Sequence, residues 1–220
     1  MARAGLGRAV VRPARVALAL RALPPRVALF YARALRRAHI EGDRWGPDAA
    51  ARPAELAALL MLARGCQRVV ELGTAMGWTA IALALDDPGR RVTTIDPLAP
   101  AGERQRYLDL VSATVRARIR FVRGEGAALG AQGREAIDLL FIDSSHDRAA
   151  TGAEFRAWRP RLAPGGIVAF HDFEHPEYPG VAEAVVDLGL TGEVRGGTFV
   201  WRAPDGEARD SSRTRPTNGW

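Results

Sequence analysis

Short apolar runs bounded by glycine and polar residues recur through the middle of the chain. Val69–Leu72, Val92–Ile95, Ile119–Val122, Ile137–Ile142 and Ile167–Phe170 are continuous rather than alternating, which predicts strands buried on both faces. Between them lie stretches of helical spacing: Trp78–Leu85, Glu103–Arg116, a short piece near Gly126–Ala131, Arg148–Leu162 and Val181–Asp187. Strand and helix in alternation predict a parallel sheet covered on both sides. Gly192–Val194 and Thr198–Arg202 flank a Gly196-Gly197 turn and predict a terminal hairpin-like pair. Pro53–Arg64, mainly Ala and Leu, predicts a helix ended by Gly65.

The first 40 residues have another pattern. Arginines interrupt every apolar cluster, so neither a membrane span of ~20 apolar residues nor the core of a secretory signal is present. Pro24-Pro25 divides this arm into two expected helices. Val27, Phe30, Tyr31 and Leu35 give the second an apolar face, suited to packing on the body, on a second subunit or on a membrane surface. The expected organisation is a basic helical arm over 1–45, a domain over 46–202 and a polar, disordered tail over 203–220.

Charge changes the picture once it is divided. The net charge of +6 suggests a nucleic-acid partner, but nine of the 31 arginines and none of the 25 acids fall in residues 1–40. The remaining 22 arginines face all 25 acids, so the body is mildly acidic and a phosphate-binding face is not favoured. There is no lysine. The single cysteine, Cys66, excludes an intramolecular disulfide and suggests a reducing, cytoplasmic setting.

In an open parallel sheet, ligands bind beyond the carboxyl ends of the strands. The first strand runs into E-L-G-T-A-M-G, where Gly73 and Gly77 let a ligand approach the backbone. The turn is neither G-x-G-x-x-G nor a P-loop, and Glu71 would repel a pyrophosphate but suit an ammonium or sulfonium. The second strand ends in Asp96, placed to accept ribose hydroxyls. The third ends in Gly124-Glu125, able to lie along a purine. The fourth ends in Asp143, with Ser144, Ser145 and His146 behind it. The fifth ends in His171-Asp172. Five strands thus deliver polar groups to one edge.

The ordered set ELGTAMGWTAIALA, TIDP, FVRGEG, IDLLFIDSSH and LAPGGIVAFHDF resembles the class I S-adenosylmethionine-dependent methyltransferases, closest to the small O-methyltransferase branch, over about residues 50–202. The resemblance implies an α/β, Rossmann-like, doubly wound sheet of seven strands in the order 3-2-1-4-5-7-6, strand seven antiparallel, with helices on both faces. It implies S-adenosylmethionine held by Glu71, Gly73, Thr74, Gly77, Trp78, Asp96, Gly124, Glu125 and Asp143. Metal-dependent members hold a divalent cation with an Asp at the end of strand four and an acid pair, or Asp-Asn, at strand five; Asp143 and Asp172 match this, while one oxygen ligand beside Asp172 is lost and His171 is the residue that could replace it. An imidazole among them would favour Mn²⁺, Fe²⁺ or Zn²⁺ over Mg²⁺.

The expected function is O-methylation of a small molecule: a secondary metabolite, phenol or sugar hydroxyl. His146 and His171 are the candidates for the base that removes the acceptor's proton, since an unperturbed imidazole titrates near ~6.5. Equally open is that His146 caps the helix beginning near Arg148. A nucleic-acid methyltransferase using the basic arm, a non-catalytic relative and a metal-dependent hydroxylase-like relative are the other readings. A homodimer through the arm is a further expectation.

Overall fold

The structure is a computed structural model that describes residues 18–98 and 101–205. Seven strands form one sheet: β1 (Arg68–Leu72), β2 (Arg91–Asp96), β3 (Ile119–Arg123), β4 (Ile137–Ile142), β5 (Leu162–Phe170), β6 (Glu193–Arg195) and β7 (Thr198–Arg202). Their order is β3-β2-β1-β4-β5-β7-β6. Strands β1 to β5 pair parallel, and β7 lies antiparallel to both β5 and β6. This is the expected topology. Strand order reverses at β1 and β4, so the crevice between their ends is where a ligand site belongs.

Period-two alternation of apolar residues builds two cores from the same strands. Val69, Leu139, Phe141, Ile167 and Ala169 face one layer of helices, and Val70, Leu140, Ile142, Val168 and Phe170 face the other. The first layer contains α1 (Pro25–Glu41), α3 (Pro53–Leu62) and α4 (Trp78–Asp86). The second contains α8 (Arg148–Trp158) and α9 (Pro179–Asp187). Short helices α2 (Trp45–Asp48), α5 (Ala101–Leu108), α6 (Ala113–Arg116) and α7 (Gly126–Gln132) complete the chain.

Two expected helices are shorter than their patterns. The stretch 103–116 breaks after Leu108 because Ser112 starts a new helix, its side chain accepting from Val115 N at 3.4 Å. Arg116 then donates to the carbonyls of Leu108 and Val111 across the break, of which Leu108 O also accepts from Val111 N. The stretch 148–162 ends as α-helix at Trp158, continues as a 3₁₀ turn over Arg159–Arg161, and gives Leu162 to β5. Pro160 cannot continue the α-helical ladder.

Of the two arm helices, the second is α1, and the first falls largely outside the described residues, as does most of the tail. Val27, Phe30, Tyr31, Ala34 and Ala38 bury the inner face of α1. Its seat is aromatic. The Trp78 ring makes edge contacts with Phe30, Tyr31 and Tyr107 at centroid distances of 6.4, 5.2 and 5.1 Å. The core therefore runs across residue 45 without a break. Trp78 is 3% exposed, and Trp78→Ala should cost about 3–5 kcal/mol of stability by leaving a cavity between α1 and α4. Trp78→Phe should cost clearly less. Urea unfolding of the two variants measures the difference.

Candidate active site

The site begins where β1 and β4 touch. Gly73 has φ +93°, and a Cβ there would stand 1.8 Å from the carbonyl oxygen of Asp143. Asp143 N donates to Leu72 O at 2.8 Å, which ties the end of β4 to the end of β1. The turn closes when Gly77 N donates to Thr74 O at 2.7 Å, and Gly77 caps α4 in the left-handed region. Asp96 staples this turn to β2. Its Oδ2 accepts from Thr74 N at 2.9 Å and Ala75 N at 3.1 Å, and its Oδ1 accepts from Leu98 N at 2.8 Å. The residue expected to meet a ribose thus also fixes the loop beneath it.

Glu71 lies on the face of Val69, toward α4, and is 2% exposed. Its Oε2 accepts from the Thr94 hydroxyl, which is also 2.7 Å from the Thr74 hydroxyl. Burial pushes its pKa up. The Thr94 bond pulls it back, and the charges of Asp143 and Asp96 push it up again, to about 8. No cation is among its electrostatic partners. A buried carboxylate surrounded by acids is a costly arrangement that a cationic ligand would relieve.

Beyond it, Asp143, His146, His171 and Asp172 gather into a ring. His146 Nε2 is 3.4 Å from Asp143 Oδ1 and 3.2 Å from Asp172 Oδ2. His171 Nδ1 is 3.1 Å from Asp143 Oδ1 and 3.4 Å from Asp172 Oδ2. Although these distances suit hydrogen bonds, neither nitrogen is aligned on an oxygen as a donor, and both are buried. Edges of this length are what four ligands ~2.0–2.6 Å from a common centre span. His146 and Asp172 hold left-handed backbones, φ 58° and 54°, which non-glycine residues adopt at a cost. The sequence pattern groups three of these residues and sets His146 apart as a base; the structure puts it in the same ring. His146 does not cap α8. Asp147 does, its Oδ1 accepting from Ala150 N at 2.9 Å.

The ring and the glycine turn line one cavity of about 830 Å³. Trp78 forms part of its wall while its ring packs on α1. Exposed Glu125 sits at its edge as the N-cap of α7, and Gly124 N donates to Asp96 O at 3.3 Å. Three further contributors are absent from the set expected from sequence. Glu55, on α3, approaches His171. Glu154, on α8, is 7% exposed and accepts from Ser144 Oγ at 2.6 Å. Tyr178 stacks on His146 and on His175, at 4.4 and 4.7 Å between centroids. Of the three, Glu55 alone leaves a trace, as an acid three residues after the helix N-cap, which reads as capping.

Residues 70–173 match the family model of a methyltransferase domain. No curated protein matches the chain in sequence. Among solved structures, it is similar to an O-methyltransferase from Bacillus cereus in complex with S-adenosylhomocysteine, with TM-score 0.63 and 16% identity over 86% of this chain and 96% of that one. It is also similar to TomG, an O-methyltransferase of tomaymycin synthesis from Streptomyces achromogenes, in complex with S-adenosylmethionine. There the TM-score is 0.57 and the identity 22%, over 77% and 87% of the two chains. A third likeness is to CalS11, a TDP-rhamnose 3′-O-methyltransferase of calicheamicin biosynthesis, with TM-score 0.56 and 20% identity over 88% and 96%. The matched stretch starts inside β1, so α1 to α3 lie before it. No described helix is long and apolar enough to cross a membrane.

The electrostatics of the domain give it a pH signature. Burial tends to lower the pKa of His146, but the carboxylates of Asp143 and Asp172 outweigh it and lift the pKa to about 9. A group whose pKa is raised by folding stabilises the fold below its ordinary value and stops doing so as pH rises through the folded-state value. For Glu71 that window runs from 4.5 to about 8, and for His146 from 6.5 to about 9. The ligand-free protein should therefore lose stability as pH rises through both windows. Glu71→Gln should flatten the first and leave the second. Urea midpoints measured from pH 5 to pH 10 (roughly the span of both windows) test this, and identical profiles for the two proteins would refute it.

Proposed function

We propose that the protein transfers the methyl group of S-adenosylmethionine to a hydroxyl oxygen of a small molecule. The observation that carries this is the approach of Gly73 to the Asp143 carbonyl. It places a glycine turn suited to a sulfonium ligand directly against an acid–imidazole ring suited to a hydroxyl.

S-adenosylmethionine supplies a methyl group already activated for displacement. The chain's own task is to hold donor and acceptor in line and to take up one proton. Glu71, largely protonated near neutral pH while its pKa stands at about 8, would ionise beside a cationic ligand, and the stapled turn over Thr74 and Ala75 presents its backbone to that ligand. Asp96 and Glu125 stand where the ribose and adenine would lie. Ring atoms of Asp143, His146, His171 and Asp172 would hold a divalent cation, a mixed nitrogen and oxygen set that suits Mn²⁺, Fe²⁺ or Zn²⁺. A cation there lowers the pKa of a bound hydroxyl. With a cation bound, His146 would serve as a ligand and the proton would leave the coordinated hydroxyl; without one, His146, stacked on Tyr178, is the candidate base, and its pKa of about 9 would confine that role to alkaline pH.

The acceptor is small and not phosphorylated. Eight carboxylates and one arginine line the cavity among the described residues, so phosphate-rich ligands, nucleic acid included, meet repulsion there. The reading includes a cytoplasmic setting and a homodimer through the N-terminal arm.

Two measurements test the proposal. S-adenosylhomocysteine should bind and NAD should not. Asp96→Ala should weaken binding by on the order of 1.5–3 kcal/mol for each charge-assisted bond lost. Calorimetry showing NAD binding, or an Asp96→Ala variant with unchanged affinity, refutes the cofactor assignment. Chelation should abolish turnover and spare S-adenosylhomocysteine binding, and Asp172→Ala should behave as the chelated enzyme does. Turnover that ignores chelator and survives in both Asp172→Ala and His146→Ala removes the ring from the mechanism.

A further inference from the structure

Each imidazole in the ring offers one nitrogen to the cluster. For His171 that nitrogen is Nδ1, and the other, Nε2, points away and is buried with no aligned hydrogen-bond partner. A buried N–H of this kind needs an acceptor. One carboxylate stands within ion-pair distance of it among the described residues: Glu55, whose Oε2 lies 3.5 Å away. Glu55 belongs to α3 and precedes the residues matched by the methyltransferase domain. Its Oε2 also accepts from Arg52 N at 2.8 Å, so the N-terminus of α3 fixes the carboxylate in place. Both partners are largely shielded from water, with side chains 10% and 19% exposed.

We propose that Glu55 is a positioning residue for the cluster: it accepts the Nε2–H of His171 and so presents the Nδ1 lone pair to a divalent cation shared with Asp143, His146 and Asp172. The inference rests on the reading of the ring as a cation site. A carboxylate behind an imidazole fixes its tautomer and orientation and makes it a better ligand. The N-terminal helices, outside the domain that carries the cofactor motifs, thereby complete the site.

The experiment is calorimetric titration of Mn²⁺ into the full chain and into Glu55→Ala and Glu55→Asp, with S-adenosylhomocysteine affinity and melting temperature recorded for each. Asp is one methylene shorter. It keeps an acid in the first turn of α3 but withdraws from Nε2. Both variants should bind Mn²⁺ roughly 10–100-fold more weakly, with S-adenosylhomocysteine affinity unchanged. Glu55→Asp should also keep the melting temperature of the wild type, which separates positioning from capping. If Glu55→Ala does not fold, Glu55→Asp alone decides. Mn²⁺ affinity within about twofold of wild type in Glu55→Asp, a shift well below the usual effect, leaves Glu55 as a helix cap and overturns the proposal. A wild-type protein that binds no Mn²⁺ removes the cation reading, and the role of Glu55 with it.

Discussion

Everything at the site depends on how close β1 comes to β4. The two strands are joined by Asp143 N donating to Leu72 O, and the next residue along β1 has no space for a side chain. A larger residue at 73 would push the glycine turn off the carbonyl of Asp143. The turn would then lose its register with Asp96, and the acid–imidazole ring would lose its distance from the turn. Each inherits its position from the ladder between two central strands.

The edge of the sheet is also where the chain concentrates its unfavourable terms. Glu71 is buried among acids, His146 and Asp172 sit in a left-handed backbone, and three ring nitrogens are buried without aligned acceptors. The apolar layers on both sides of the sheet offset these costs. Strained backbone and uncompensated charge persist only where the surroundings over-determine them. Their coincidence on one edge is the physical mark of a place shaped to receive something.

Much of this is legible in the sequence, for a definite reason. Continuous apolar runs identify central parallel strands, and the residues immediately after each run must lie at the carboxyl edge. Residues as far apart as Glu71 and Asp172 can therefore be placed together. The fold order comes from resemblance, and the observed sheet agrees with it. Less legible is anything that depends on the direction of a side chain across space. The inclusion of His146 in the ring depends on its backbone turning left-handed, which the string DSSH does not announce. Glu55 looks like one acid on an Ala-Leu helix, because its partner lies 116 positions away in a different layer. The breaks after Leu108 and Trp158 are hidden because helical spacing continues through them while Ser112 and Pro160 decide otherwise.

The aromatic seat of α1 has a bearing on how such a protein can change over time. Trp78 is the first residue of the helix that leaves the glycine turn, and three of its faces are occupied by rings from α1 and α5. The segment before the matched stretch is thus both a wall of the cavity and a share of the hydrophobic core. Remodelling it to admit a new acceptor would draw on the same free energy that keeps the fold together. Selection for altered acceptor choice would meet least resistance at the loops after β5 and around α2, where walls can move without unseating Trp78.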